Sequence, residues 1–157
     1  MAARDEASIL VIEDDEIKRQ SIVKAIEEEC PDIAIETAHS VRTAVDLIAD
    51  SKFALVIADM SLPTFDIEIR EPGGTPRPFG GVEVFEYLER MENHVPVLVV
   101  TSYPVLTDGK RSLRLQDLEE QLRGDFPNNF TGMIYFDSAY AEWEREFREF
   151  LQGLFNR

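Results

Sequence analysis

The chain of 157 residues has one cysteine, Cys30, two histidines, and 16 basic residues against 31 acidic ones. A lone cysteine excludes an internal disulfide and fits a reducing cytoplasm. A net charge of −15 argues against duplex nucleic acid and anionic membrane as partners, because both need clustered Lys and Arg. Long apolar runs are missing too. The longest, "VPVLVV" at 95–100, is far short of the ~20 residues that cross a bilayer. The opening "MAARDEAS" is charged and lacks the apolar stretch of a secretory signal. His39 and His94 fall near predicted helix ends and are expected at the surface rather than as ligands. No lysine follows Lys110.

Hydrophobic residues make up 44% of the chain, enough for one domain with a real core over residues 1–157. Four apolar runs look like strands buried on both faces: "SILVI" (8–12), "FALVIA" (53–58), "VPVLVV" (95–100) and "GMIYF" (132–136). A fifth, "IAIET" (33–37), alternates and suits an edge. Segments of helical period lie between and after them. Ile17, Ile22, Ala25 and Ile26 form the stripe predicted for the first, which Pro31 stops. Val41, Ala44, Val45 and Ile48 mark the second, with Ser40 as N-cap. Val84, Phe85 and Leu88 mark the third. Leu115, Leu118 and Leu122 mark the fourth, with Gly124 as C-cap. Trp143, Phe147, Phe150 and Leu154 mark the last and are expected in the core. Strict alternation of this kind predicts a doubly wound α/β fold, a five-stranded parallel sheet with helices on both faces.

Two stretches exceed what that architecture needs. Residues 64–80, "TFDIEIREPGGTPRPFG", contain three of the eight prolines, and "FDIEIRE" alternates like a short extra strand. Residues 102–112 and 124–131 flank the fourth helix as long loops.

The acids stand where strands end. Asp59 closes the third strand, and "EDDE" at 13–16 follows the first. In the order 2-1-3-4-5 those strands are neighbours, and ligands bind beyond their carboxyl ends at the switch point. Glu13, Asp14 and Asp59 are therefore expected to converge. Neighbouring carboxylates repel unless a cation offsets them. Hard oxygen donors of this kind suit Mg²⁺. The plainer alternative is that Asp14 or Asp15 caps the helix that follows.

"ILVIEDDE", "VIADMSLP", "GGVEVFEYL" and "VPVLVVTS" resemble the signature stretches of the response-regulator receiver domain of two-component signalling. The likeness covers about residues 8–155. It implies that Asp59 accepts a phosphoryl group from a histidine kinase or phosphotransfer protein, with Mg²⁺. It implies Glu13, Asp14, Asp59 and the backbone carbonyl of Ser61 as metal ligands, and Thr101 as the hydroxyl that turns toward the phosphoryl group. Such a chain is a stand-alone signalling module acting on a downstream protein partner, and not an enzyme beyond gaining a phosphoryl group from small donors and losing it. Two departures stand out. The lysine that the family places after the fifth strand is absent: "GMIYFDSAYAEW" offers Asp137 or Ser138 there, and Arg145, a candidate substitute two turns on, would have to reach back. The insertion at 64–80 is large, and its residues 65–79 are expected in homodimer or partner contacts.

These departures keep a second reading open, a phosphorylation-independent pseudo-receiver serving as a docking or dimerisation module. A small Mg²⁺-dependent phosphohydrolase is a third. Haloacid-dehalogenase-type enzymes need a second Asp two residues after the nucleophile, where Ser61 stands, and a cap domain for which the chain has no room. A flavin-binding domain of the same fold class is disfavoured, because the acid cluster repels a flavin phosphate.

Overall fold

The computed structural model describes residues 7–62, 80–102, 105–108 and 111–155. Strands β1 (Ser8–Ile12), β2 (Ala34–Ala38), β3 (Leu55–Ala58), β4 (Val97–Thr101) and β7 (Phe130–Tyr135) form a parallel sheet in the order β2-β1-β3-β4-β7. This is the doubly wound order expected above. Helices α1 (Glu16–Glu29), α2 (Val41–Asp50), α3 (Gly80–Arg90), α4 (Leu115–Asp125) and α5 (Glu142–Phe155) cover both faces. Each strand points alternate residues to opposite faces. On one face Leu10, Ile12, Val56, Val97 and Val99 meet α2, α3 and α4 through Ala44, Ile48, Phe85, Leu88 and Leu122. On the other, Ile9, Val11, Ile57, Leu98 and Val100 meet α1 and α5 through Ile22, Ile26, Trp143, Phe147 and Leu151.

Four expectations need correction. Residues 105–108 and 111–112, expected as part of a loop, and 113–114, expected in the fourth helical segment, pair as an antiparallel hairpin, β5 (Val105–Asp108) and β6 (Arg111–Arg114). Gly124 lies inside α4, and Phe126 caps that helix through its N–H to the Leu122 carbonyl. Ile17, expected on the buried stripe of α1, is 72% exposed. The acid-rich faces "EEE" at 27–29 and "EWEREFRE", expected from their composition as merely solvated surface, are tied to each other, because Arg148 of α5 pairs with Glu28 and Glu29 of α1 and with its own neighbour Glu144. The insertion with its expected strand and dimer contacts lies outside the described residues, apart from Gly80 at the start of α3.

His39 and His94 are exposed, as expected. Among the described residues no helix is long and apolar enough to cross a membrane.

Candidate functional site

The chain leaves β1 toward β2 on one side and returns to place β3 on the other, so the sheet splits beyond the carboxyl ends of β1 and β3. Ile12 pairs with Ala58, the last residue of each strand. The next residues are then held in place by the backbone. The Asp59 N–H donates to the Ile12 carbonyl at 3.2 Å, and the Glu13 N–H donates to the Ala38 carbonyl of β2 at 2.9 Å. Glu13 and Asp59 thus emerge side by side at the sheet's rim, almost fully buried at 1% and 4% exposure. Asp14 is half-buried beside them. One carboxylate oxygen from each of Glu13, Asp14 and Asp59 lies within 4.8 Å of the others. The three acids that the sequence singled out are brought together.

Asp15 has a different task. Its carboxylate accepts from the N–H groups of Ile17 and Lys18 and caps α1. The capping reading therefore holds for Asp15 and leaves Asp14 to the cluster. Glu13 also shapes this turn: its Oε2 accepts from the Asp15 N–H at 3.1 Å, and its carbonyl accepts from Arg19 Nη1 at 3.2 Å.

Lys18 is the residue that the sequence reading missed. It is 3% exposed, and its Nζ lies 2.7 Å from Glu13 Oε1 and 3.2 Å from Asp59 Oδ2. The ammonium also sits 5.8 Å from the centroid of the Phe136 ring, a cation–π distance. Phe136, rather than the expected Asp137 or Ser138, is the residue immediately after β7, and its ring centroid lies 4.6 Å from that of Trp143 with the planes tilted by 47°. Arg145, the candidate substitute that would have had to reach back, does not serve. It is exposed on α5 and paired with Glu142 and Glu149. The signal for Lys18 was helical spacing. At about 100° per residue Lys18 lies about 40° from Ile22, whereas Ile17 lies about 140° away.

Glu13, Asp14, Asp15, Glu16, Lys18, Asp59, Ser61 and Ser102 line an open cleft of about 410 Å³. Ser61 borders it and donates its N–H to Asp59 Oδ1 at a long 3.4 Å. Thr101 closes β4, fully buried, and its carbonyl accepts from the Phe136 N–H at 2.8 Å. The cleft wall at that strand is Ser102 rather than Thr101.

Three acids face one ammonium, leaving a formal excess of two negative charges. Burial, and after it the Asp59 charge, pushes the Glu13 carboxyl up to about 8, with Lys18 pulling the other way. Burial also raises Asp14 above the usual carboxylate range. A carboxyl raised in the folded state binds its proton more tightly folded than unfolded. Its contribution to stability is full below the unfolded value of 4.5 and is lost as pH rises toward about 8. Glu13→Gln, which cannot ionise, is expected to gain thermal stability relative to the parent across that window in metal-free buffer. Parallel melting curves from pH 5 to 8 would contradict this.

The donor set fits a hard divalent cation. It offers carboxylate oxygens, an uncompensated negative charge and an opening to solvent.

The model of the response regulator receiver domain family matches residues 9–117. The chain is 25% identical over 142 residues to the Detocs response regulatory protein DtcB of Enterobacter cloacae, covering 87% of this chain and 93% of that one. Among solved structures it is similar to a Francisella response regulator receiver domain, with a TM-score of 0.63 at 17% identity, covering 96% of this chain and 98% of that one. It is also similar to the chemotaxis response regulator CheY4 of Vibrio cholerae, with a TM-score of 0.61 at 17% identity, covering 94% and 98%. At such identities the two structures speak for the fold.

Proposed function

Because this chain belongs to the response regulator receiver domain family, we propose that it takes a phosphoryl group onto Asp59 from a histidine kinase or phosphotransfer protein and signals through contacts with a downstream protein. The observation that carries the reading is the convergence of Glu13, Asp14 and Asp59 at the neighbouring ends of β1 and β3. The whole chain, residues 1–157, acts as one receiver unit in a reducing cytoplasm.

Glu13, Asp14 and Asp59, with the Ser61 carbonyl, would hold Mg²⁺, which when bound offsets charge on the transferring phosphoryl oxygens. The chain's own residues supply the rest. Asp59 is the nucleophile, and an ionised carboxylate forms an acyl phosphate. Its backbone is anchored to Ile12, so the attacking group is presented from a rigid strand end. Thr101 and Ser102 stand at the end of β4, where a hydroxyl meets the new phosphoryl oxygens. Movement of that strand end is the switch that a partner reads.

The test uses the purified chain, Mg²⁺ and a small acyl phosphate donor. Intact-mass measurement is expected to find one added phosphoryl group, removed by hydroxylamine as acyl phosphates are. No adduct at saturating donor and millimolar Mg²⁺ would favour a phosphorylation-independent docking module instead. For the metal, Asp14→Ala is expected to weaken Mg²⁺ binding at least about tenfold by calorimetry, because it removes the ligand that Lys18 does not already pair. Equal affinity in variant and parent would remove Asp14 from the ligand set.

A further inference from the structure

We propose that Lys18, on the first turn of α1, is the cation that contacts the phosphoryl group on Asp59. It reaches Asp59 from α1, whereas the residue immediately after β7 is Phe136. The inference rests on the reading of Asp59 as acceptor.

Four observations carry it. Lys18 is the one cation among the described residues that line the acid cleft. Its ammonium already lies 3.2 Å from the carboxylate that would be phosphorylated. It is buried, yet its Nζ and Glu13 Oε1 make no hydrogen bond of acceptable geometry, although they are 2.7 Å apart. The ammonium is shared between the Glu13 and Asp59 carboxylates as an ion pair, so it can move between them. Among the described residues, Arg19 and Arg145 are engaged elsewhere. Arg19 donates to the Glu13 carbonyl, and Arg145 is bound to its own helix.

The placement has a structural reason. Lys18 follows the apolar stripe of α1 one turn before Ile22, so the helix drives it under the sheet's rim. The Asp15 cap fixes the start of that turn. The face of the Phe136 ring supports the ammonium from the far side. A lysine at 136 would bring a second ammonium into the same space.

In the step itself, one Asp59 carboxylate oxygen forms a bond to phosphorus. With a small acyl phosphate as donor, the bond from phosphorus to the leaving oxygen breaks. The leaving carboxylate keeps the electron pair, and no proton moves. Asp59 loses its charge as it becomes an ester-like carbonyl, so the attraction that held Lys18 to Oδ2 falls. The dianionic phosphoryl group next to it is the stronger partner. Lys18 then leaves Glu13 and Asp59 for the phosphoryl oxygens. The group that neutralises the resting site becomes the group that holds the phosphorylated one.

The test titrates Mg²⁺, and then beryllofluoride in saturating Mg²⁺, into the full chain, Lys18→Met and Asp59→Asn. Lys18→Met is expected to bind Mg²⁺ at least as tightly as the parent, because a competing positive charge is gone. It is expected to bind beryllofluoride at least about tenfold more weakly, the loss of a charge-assisted contact. Asp59→Asn is expected to show no beryllofluoride binding. Equal beryllofluoride affinity in parent and Lys18→Met would overturn the role of Lys18 and leave Asp59 as acceptor standing. A matching loss of Mg²⁺ and beryllofluoride affinity would reduce Lys18 to a structural role and overturn it as well. Absence of beryllofluoride binding in the parent would overturn the acceptor reading, and Lys18 with it. Should Lys18→Met not melt cooperatively, Lys18→Gln, of similar length and able to hydrogen-bond, carries the same expectations.

Discussion

Asp59→Asn is expected to eliminate phosphoryl labelling while leaving the metal-free fold at least as stable as the parent. The two halves have separate causes. Labelling needs a carboxylate nucleophile, and an amide does not form an acyl phosphate. Stability depends on crowding. Asp59 adds a negative charge beside Glu13 and Asp14, and its field is one reason that Glu13 resists ionising. Among the described residues, Lys18 is the cation that pairs with it. Without the Asp59 charge, Lys18 and Glu13 form a simple pair at 2.7 Å, and Asn keeps the shape and the contact with the Ser61 N–H. A buried charge that loses a like neighbour is relieved. Thermal melts in chelator with donor labelling in Mg²⁺ check both halves. Residual hydroxylamine-labile phosphoryl in the variant would place the acceptor elsewhere. A drop of several degrees in melting temperature would show that the Lys18–Asp59 pair contributes more than the repulsion costs.

The architecture was legible because each strand's apolar run is short, and each helix shows its own period between bounding turn residues. The acid cluster was legible because parallel topology converts two separate sequence positions, Glu13 and Asp59, into one place. Lys18 was not legible, because a lysine beside the apolar Ile17 carries no sign in its residue type of being the buried one of the two. Geometry favours Lys18 over Ile17 on the Ile22 side, and the buried rim there is acidic instead of oily. A charged side chain can occupy a buried helix position when opposite charges wait for it. The β5–β6 hairpin was missed for another reason. Its strands are only four residues each, with few apolar positions to mark them. The paired Asp108 and Arg111 are separated by just two residues, Gly109 and Lys110. That length and a leading glycine are themselves a hairpin signal. Arg145 failed as a site cation because acids stand three residues before and four after it on the same helix, where its side chain pairs locally.

Gly81→Ala is expected to be among the most damaging single-methyl additions in the chain, because it acts on the backbone that carries Asp59. A Cβ at Gly81 would lie 2.3 Å from the Asp59 carbonyl oxygen and 2.8 Å from Met60 Cα. Neither is the movable end of a side chain. The Gly81 N–H also donates to the Met60 carbonyl at 2.9 Å, so the start of α3 is clasped to the segment after β3. Adding the methyl forces α3 away or pushes Asp59 out of line with Glu13. Overpacking of this kind costs roughly 1–3 kcal/mol, and contact with rigid backbone puts it near about 3. For a chain of this size that is on the order of 6–12 °C in melting temperature. Gly153→Ala supplies the contrast. That glycine is inside α5 and a Cβ there meets nothing within 4 Å. Gly153 is in the last turn of α5, so replacing it with alanine stabilises by up to roughly 0.5–1 kcal/mol, the value for a helix interior. The two variants are therefore expected to move melting temperature in opposite directions, and only Gly81→Ala to weaken Mg²⁺ binding, since only it shifts a ligand's backbone. If Gly81→Ala melts with the parent and binds Mg²⁺ equally, the contact between α3 and the Asp59 segment is looser than these distances state, and the helix does not position the acceptor.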